Sequence, residues 1–518
     1  MTTPSYHRPE GHGAGRHRTA ITTDAAELPA AAASLVQDGY RLALVSATHH
    51  GPQDARGAAM HAVYLFLAGP PDSRVELCVP LDPARPEVPS LAALSFPAGR
   101  FERELRDQHG LEPVGHPLPR PLVRHPAWPE SWHPLRADAG EPPALDPDPA
   151  PFPFLTVEGP GVYEIPVGPV HAGLIEPGHF RFSVVGESIL KLKARLWYVH
   201  KGIEKLFEHR APGDGVALAE RVSGDTAVGH AVAYARAVED ATGITVPSRA
   251  EAARGLLLEL ERLHNHAADI GALCNDVGHS VLNAHAQRIR ERLLRLNAAT
   301  TGHRLLRGAI TPGATRLLSV PDPRTLREIA ADLAEIVDLA LGHTVIRDRF
   351  TGTAILAESQ ARDLGTLGYV ARASGLDTDA RRDHPAAPDL PVPHTVVHTS
   401  GDVLARFQVR AEEFQASIEH IAQLAAILPG RGRLEDRAAA PASATPHGAT
   451  GVGIAEGWRG TIVHRIETAP DGALDRVKIV DPSFLNWPAL PVALQGAIVP
   501  DFPLANKSFN LSYAGNDL

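Results

Sequence analysis

SRAEAARGLLLELERLHNHAADIGALCND, residues 248–276, is the stretch that decides the fold. Leu256, Leu260, Leu263, Ala267, Ile270 and Cys274 recur at spacings of three and four, which lays one apolar stripe along a helix. Ser248 followed by Glu251 has the pattern of a capping box at its start. PDPRTLREIAADLAEIVDLALGH (321–343) repeats the pattern through Leu326, Ile329, Leu333, Ile336 and Ala340, and a third such run spans about 403–428. Several helices with one apolar face each bury it against one another, so a helical bundle is expected here.

On either side the text turns β-like. VYEIPVGPV and FRFSVVGE precede the helices; TIVHRIET and LDRVKIVD follow them. Nearer the start, a helix is followed by YRLALVSATH, HAVYLFLAG and RVELCVPL, and PSLAALSFPAGRFERELRDQHGL reads as a turn entering a helix that carries Glu102, Arg103 and Glu104. The Pro-rich tract 140–154 separates the two blocks. The expectation is an α+β chain: a disordered tail over 1–20, a small α+β domain over 21–139, the linker, and a helical-bundle domain with flanking β-hairpins over 155–518. Within the last, the low-complexity segment 429–450 reads as a mobile loop.

Bulk composition excludes several roles. A net charge of -10 and 5% aromatic residues give no electrostatic or stacking case for nucleic acid as partner. Cys78 and Cys274 lie far apart, in no CxxC pair, so neither a disulfide framework nor a thiolate metal site is encoded. His7, His12 and His17 fall in the tail, and no HExxH spacing occurs among the 27 histidines. There is no GxGxxG after a strand and no P-loop. The start lacks a signal-peptide apolar region, and no run of about 18 apolar residues occurs; a cytoplasmic chain, held at the membrane only through partners, is expected.

Motifs then appear in a fixed order: GPVHAGLIEPGHFRF (168–182), RLWYVHKGIEKLFEHR (195–210), RVSGDTAVGHAVAYARAVE (221–239), TGHRLLRGAITPG (301–313), GYVARASGLDTDARRDHP (368–385) and the end of the chain, DPSFLNWPAL…DFPLANKSFNLSYAGNDL. In these the chain resembles the large subunit of the complex I-related membrane-bound nickel-iron hydrogenases, and the quinone-proximal subunit of respiratory complex I. Residues 89–120 resemble the small hydrophilic partner subunit of the same complexes, and fusion of the two is a known arrangement in the family.

The departures from the family pattern carry the functional reading. The resemblance aligns the four nickel-iron thiolates with Ser223, Thr226, Ser512 and Gly515, none of which is a cysteine. A soft metal pair needs thiolates, so no nickel-iron centre is expected. In complex I the vacated cavity holds a quinone between a Tyr and a His; the Tyr position aligns with Gly224, and the His falls near Glu176 or Pro177.

The resemblance implies Glu176 as a proton-relaying carboxylate; the other reading is a carboxylate satisfied by neighbouring donors such as Arg181. Asp225 stands where the metal pocket was and, with His230, forms a candidate acid–base pair, unless Ser223 or Asp225 merely caps a helix. His171 is a candidate ligand-binding or loop-bracing residue. Gly224, His230 and Asp517 complete the expected cavity lining. Arg372, Asp377, Asp379 and Arg381 read as structural ion pairs. HKGIEK (200–205) is a docking surface for an iron–sulfur partner or a solvated turn.

The expected function is a subunit of an NADH:quinone oxidoreductase-like or hydrogenase-like membrane complex. It would form a quinone or other electron-acceptor cavity beside a partner's iron–sulfur cluster. NAD and the clusters would be bound by partners, among them a small iron–sulfur subunit and polytopic membrane subunits. The alternative is a non-catalytic scaffold of such a complex.

Overall fold

The computed structural model describes residues 17–50, 59–172, 175–428, 434–437 and 448–518. Strands β1 (His17–Thr22), β2 (Arg41–His49), β3 (Met60–Ala68) and β4 (Ser73–Leu81) form one sheet in the order β1-β4-β3-β2. β1 runs parallel to β4, and the other neighbours are antiparallel. α1 (Leu28–Gln37) and α2 (Phe96–His109) accompany this sheet. β1 begins within the stretch read as a disordered tail; residues 17–20 are in register with β4 from Ser73, and 1–16 lie outside the described residues. Pairing supplied by a distant strand, rather than local propensity, orders them.

After the linker, β5 (Val162–Val167), β6 (His179–Val185) and β7 (Ser188–Arg195) make an antiparallel sheet. Helices α3 (Ala227–Thr242), α4 (Ser248–Asp276), α5 (Ser280–Thr301), α6 (Pro323–Gly342) and α7 (Val403–Ile427) follow. Every member of the two apolar stripes read from sequence is buried. A second antiparallel sheet, β8 (Thr450–Gly457), β9 (Gly460–Thr468) and β10 (Leu474–Val480), closes the domain, and α8 (Tyr513–Asp517) ends the described chain.

Leu434–Arg437, inside the expected mobile loop, is a strand paired with Ala314–Leu317. The rest of 429–447 lies outside the described residues. The capping box at the start of α4 is absent. Pro247 holds the N-cap position, the Ser248 hydroxyl donates to Asp389, and Glu251 pairs with Arg236 and Arg254. Two buried guanidiniums outcompete a local backbone donor for the carboxylate.

α3 lies directly on β8. A Cβ at Gly451 or Gly453 would sit 2.0 and 1.8 Å from the carbonyl oxygens of Ala237 and Ala233, so only glycine admits this approach. Gly451 and Gly453 thus let α3 sit close on β8, which sets where the turn Ser223–Thr226 before it lies. Phe101 of α2 stacks on Phe484 at 4.8 Å, which joins the first sheet's layer to the C-terminal segment.

Between α4, α7 and β8 lies a buried ionic cluster. Arg372 donates to Glu413 at 2.7 Å and Glu456 at 3.0 Å, and Arg381 pairs with Asp379 and, at 2.9 Å, with Glu259. The expected structural ion pairs are therefore present, except that Asp377 is exposed and pairs with Arg382.

Candidate functional site

A cavity of about 780 Å³ opens where the β5–β6 connection, the 223–225 turn and residues 499–513 meet. Phe180, Phe182, Phe502 and Leu511 form apolar wall, while Glu176, Asp225, Arg459 and Lys507 bring charge. His171, Glu176, Ser223, Gly224, Asp225 and Ser512 all line it, so most of the residues singled out from sequence converge here.

The floor is built from the turn before α3. Arg459, which follows β8, donates to both oxygens of Asp225 at 2.7 Å, a bidentate charge-assisted pair. Ser223 and Thr226 hydroxyls donate to Asp225 Oδ1 at 2.9 and 3.0 Å. Burial on its own would raise the Asp225 carboxyl; Arg459 and the two hydroxyls outweigh it and hold the group well below the usual carboxylate range. Asp225 is thus a fixed anion, not a proton carrier, although 40% of its side chain opens to the cavity.

Neither Ser223 nor Asp225 caps α3. Thr226 holds that position without a capping side-chain bond, and Glu261 of α4 accepts from the Val228 and Gly229 amides at 2.7 and 3.0 Å. His230 does not pair with Asp225 either. One turn into α3 it faces inward, with Nε2 3.0 Å from Asp481 Oδ2 and Nδ1 3.0 Å from His464 Nε2, and it does not line the cavity. The α-helical pitch turns it away from the cavity onto the β9–β10 side.

The four positions that the family fills with thiolates do not fit a nickel-iron centre. Ser223 and Ser512 share a hydrogen bond at 2.8 Å, the Ser512 hydroxyl accepts from the Gly515 amide at 2.8 Å, and Thr226 is tied to Asp225. A Cβ at Gly515 would lie 2.5 Å from the Asp481 carboxyl carbon, so a carboxylate occupies the place of the fourth side chain.

Glu176 accepts from the Ala514 amide at 2.9 Å, at the start of α8. Arg181, the donor considered from sequence, instead pairs with Glu164, because neighbours along β6 alternate faces. His171 Nε2 lies 2.8 Å from the Gly178 carbonyl, which braces the loop, and the ring also borders the cavity. Asp517 does not line the cavity: its carboxylate accepts from the Val199 and Trp197 amides, and burial pushes it up to about 6. It borders a second cleft of about 290 Å³ with Trp128, Trp197, His200 and Lys201, which places the HKGIEK segment there.

Sequence reasoning missed Arg459, Tyr513, Asp276 and Lys507. Tyr513 packs on Trp487 at 4.8 Å, and burial pushes its phenol up to about 12, so it is a neutral donor near pH 7. The signal for Tyr513 was adjacency to Ser512; Asp276 and Lys507 carry none, since one ends a long helix and the other starts from a surface-like stretch.

Three families match along the chain: the respiratory-chain NADH dehydrogenase 30 Kd subunit over residues 21–142, nickel-dependent hydrogenase over 201–273, and the respiratory-chain NADH dehydrogenase 49 Kd subunit over 276–450. Formate hydrogenlyase subunit 5 of Escherichia coli is 34% identical, the match covering 88% of this chain and 82% of that protein. The chain belongs to the large-subunit family of membrane-bound hydrogenases and complex I. The C/D fusion protein of the NADH-quinone oxidoreductase of Phocaeicola vulgatus is 31% identical over 67% of this chain and 71% of its own. A subunit of the membrane-bound sulfane sulfur reductase, an archaeal respiratory membrane complex, superposes with TM-score 0.62 at 25% identity, covering 69% of this chain and 99% of the other. This member of the family is thus a fusion of the 30 Kd-like and 49 Kd-like parts within a complex of this kind. Among the described residues no helix is long and apolar enough to cross a membrane.

Proposed function

We propose that this subunit forms the acceptor cavity of a membrane oxidoreductase complex, with a quinone-like molecule as the acceptor. The carrying observation is the 780 Å³ cavity, whose phenylalanine lining suits an apolar ring and whose lining also includes Glu176, Tyr513, Lys507 and Arg459. Two electrons from a partner's iron–sulfur cluster and two protons convert a quinone to its quinol. Glu176, at the α8 start and open to the cavity, is the exchangeable proton donor; Asp225 and Arg459 fix the polar floor.

In this reading the complex sits on the cytoplasmic face of the membrane through polytopic subunits. A small iron–sulfur subunit docks near HKGIEK and the second cleft, and NAD, where used, binds elsewhere in the assembly. The domain limits 21–139 and 155–518 follow the same division of labour. The Asp225–Arg459 pair and the bare Gly224 favour one other reading, a scaffold whose cavity no longer turns over.

Glu176→Gln in the intact complex separates the two. Loss of a general acid costs about 10²–10⁴-fold in rate, so reduction of a soluble quinone analogue falls by that much while the melting temperature holds. No reduction by the wild-type complex leaves the scaffold, and an unchanged rate in Glu176→Gln removes Glu176 as the proton donor. Gentle detergent extraction and mass spectrometry identify the partners; a chain active alone would count against the assembly.

A further inference from the structure

Outside the cavity, the first sheet meets the C-terminal hairpin across a polar joint. His50 follows β2, His61 lies on β3, and Glu467 and Asp475 come from β9 and β10. His61 Nε2 is 3.2 Å from Glu467 Oε1, and His50 Nδ1 is 3.2 Å from Asp475 Oδ2. The two imidazole rings lie with centroids 5.2 Å apart. One ligand atom from each of His50, His61 and Glu467 lies within 4.8 Å of the others. In a tetrahedral site with bonds of about 2.0–2.1 Å, neighbouring ligand atoms stand about 3.3 Å apart. The cluster is therefore within a side-chain adjustment of that geometry.

We propose that His50, His61 and Glu467 bind a divalent transition-metal ion, zinc by the chemistry of the donor set, with Asp475 or water as the fourth ligand. Two imidazoles and a carboxylate form a recurrent zinc donor set. The surroundings suit the role. Arg465 bridges Glu76 and Glu467, and its bond to Glu467 Oε1, the oxygen that also faces His61, fixes the position of the ligating carboxylate.

The ion would tie residues 50 and 61 to residue 467, clasping the 30 Kd-like part onto the 49 Kd-like part of one chain. No step of the acceptor chemistry depends on it.

Zinc added to the chelator-treated full-length chain, followed by equilibrium dialysis, reads the site. One tight zinc per chain and a raised melting temperature are expected. Because replacing outer partners alone weakens metal sites by about 10–100-fold, His50→Gln/His61→Gln should lose at least about 100-fold in affinity and all of the thermal shift. Equal tight binding by that variant would assign the ion to other histidines and overturn the site. Should the variant not fold, X-ray absorption of the zinc-loaded wild type decides. Two imidazoles with oxygen ligands support the site; a sulfur ligand or three or more imidazoles overturns it.

Discussion

Arg459 and Asp225, 234 residues apart, face each other with two hydrogen bonds of 2.7 Å at the floor of the cavity. A cation and an anion held against one another in this way depend on each other, because either left alone keeps its desolvation cost without the compensating attraction.

Removing one partner exposes that dependence. Arg459→Leu leaves the Asp225 carboxylate with only hydroxyl donors. A sealed pair broken this way costs about 3–5 kcal/mol; with 40% of Asp225 open to the cavity, solvent screening reduces the loss to about 1–3 kcal/mol. Urea denaturation with unchanged m-value checks it, and Arg459→Leu/Asp225→Leu should recover much of the loss.

Two glycines of the site should respond in opposite ways. Gly515→Ala drives a methyl group into Asp481 and costs about 1–3 kcal/mol by overpacking. Gly224→Ala meets nothing within 4 Å and leaves the melting temperature within about 1–2 °C. For the same reason, cysteines placed at 223, 226, 512 and 515 should not rebuild a nickel site, as elemental analysis would show.

Glu261 predicts a pH dependence. Burial pushes its carboxyl up to about 8, against the two amides that favour its anion. The folded state then holds a proton that the unfolded state releases, so this contribution is fully present below the unfolded value. It is lost as pH rises from about 4.5 to about 8. The stability difference between wild type and Glu261→Gln should change by a few kcal/mol across that window and level off above it, measured by denaturation at successive pH values.

Arg372 is fully buried between Glu413 and Glu456, so Arg372→Met takes the bridging cation from two buried carboxylates and should cost about 3–5 kcal/mol. Although burial opposes it, Arg372 and His266 hold the Glu413 carboxyl well below its ordinary value. The wild-type contribution is therefore present above the ordinary glutamate range and lost as pH falls below it, and in Arg372→Met that acid limb shrinks.

By itself the sequence determined the family and most of the secondary elements, though not β1 or the strand Leu434–Arg437, which pairing with distant strands orders. Helical stripes such as Leu256–Cys274 and strands such as TIVHRIET are set by local periodicity, and the order of motifs is a property of the chain alone. It also determined which cysteines are missing, because a thiolate cannot be supplied by geometry. It brought Glu176, Asp225 and Ser512 forward as one site because each lies inside a motif of the family pattern. What it could not determine is which charge meets which. Ser248 and Glu251 looked like a local cap, yet buried Arg236 and Arg254 claimed the glutamate; Asp225 looked like His230's partner, yet Arg459 took it and His230 turned to Asp481. Those choices are made only in the tertiary structure. A buried ionic group takes whichever opposite charge or donor the packing delivers to it, and distance along the chain carries no information about that.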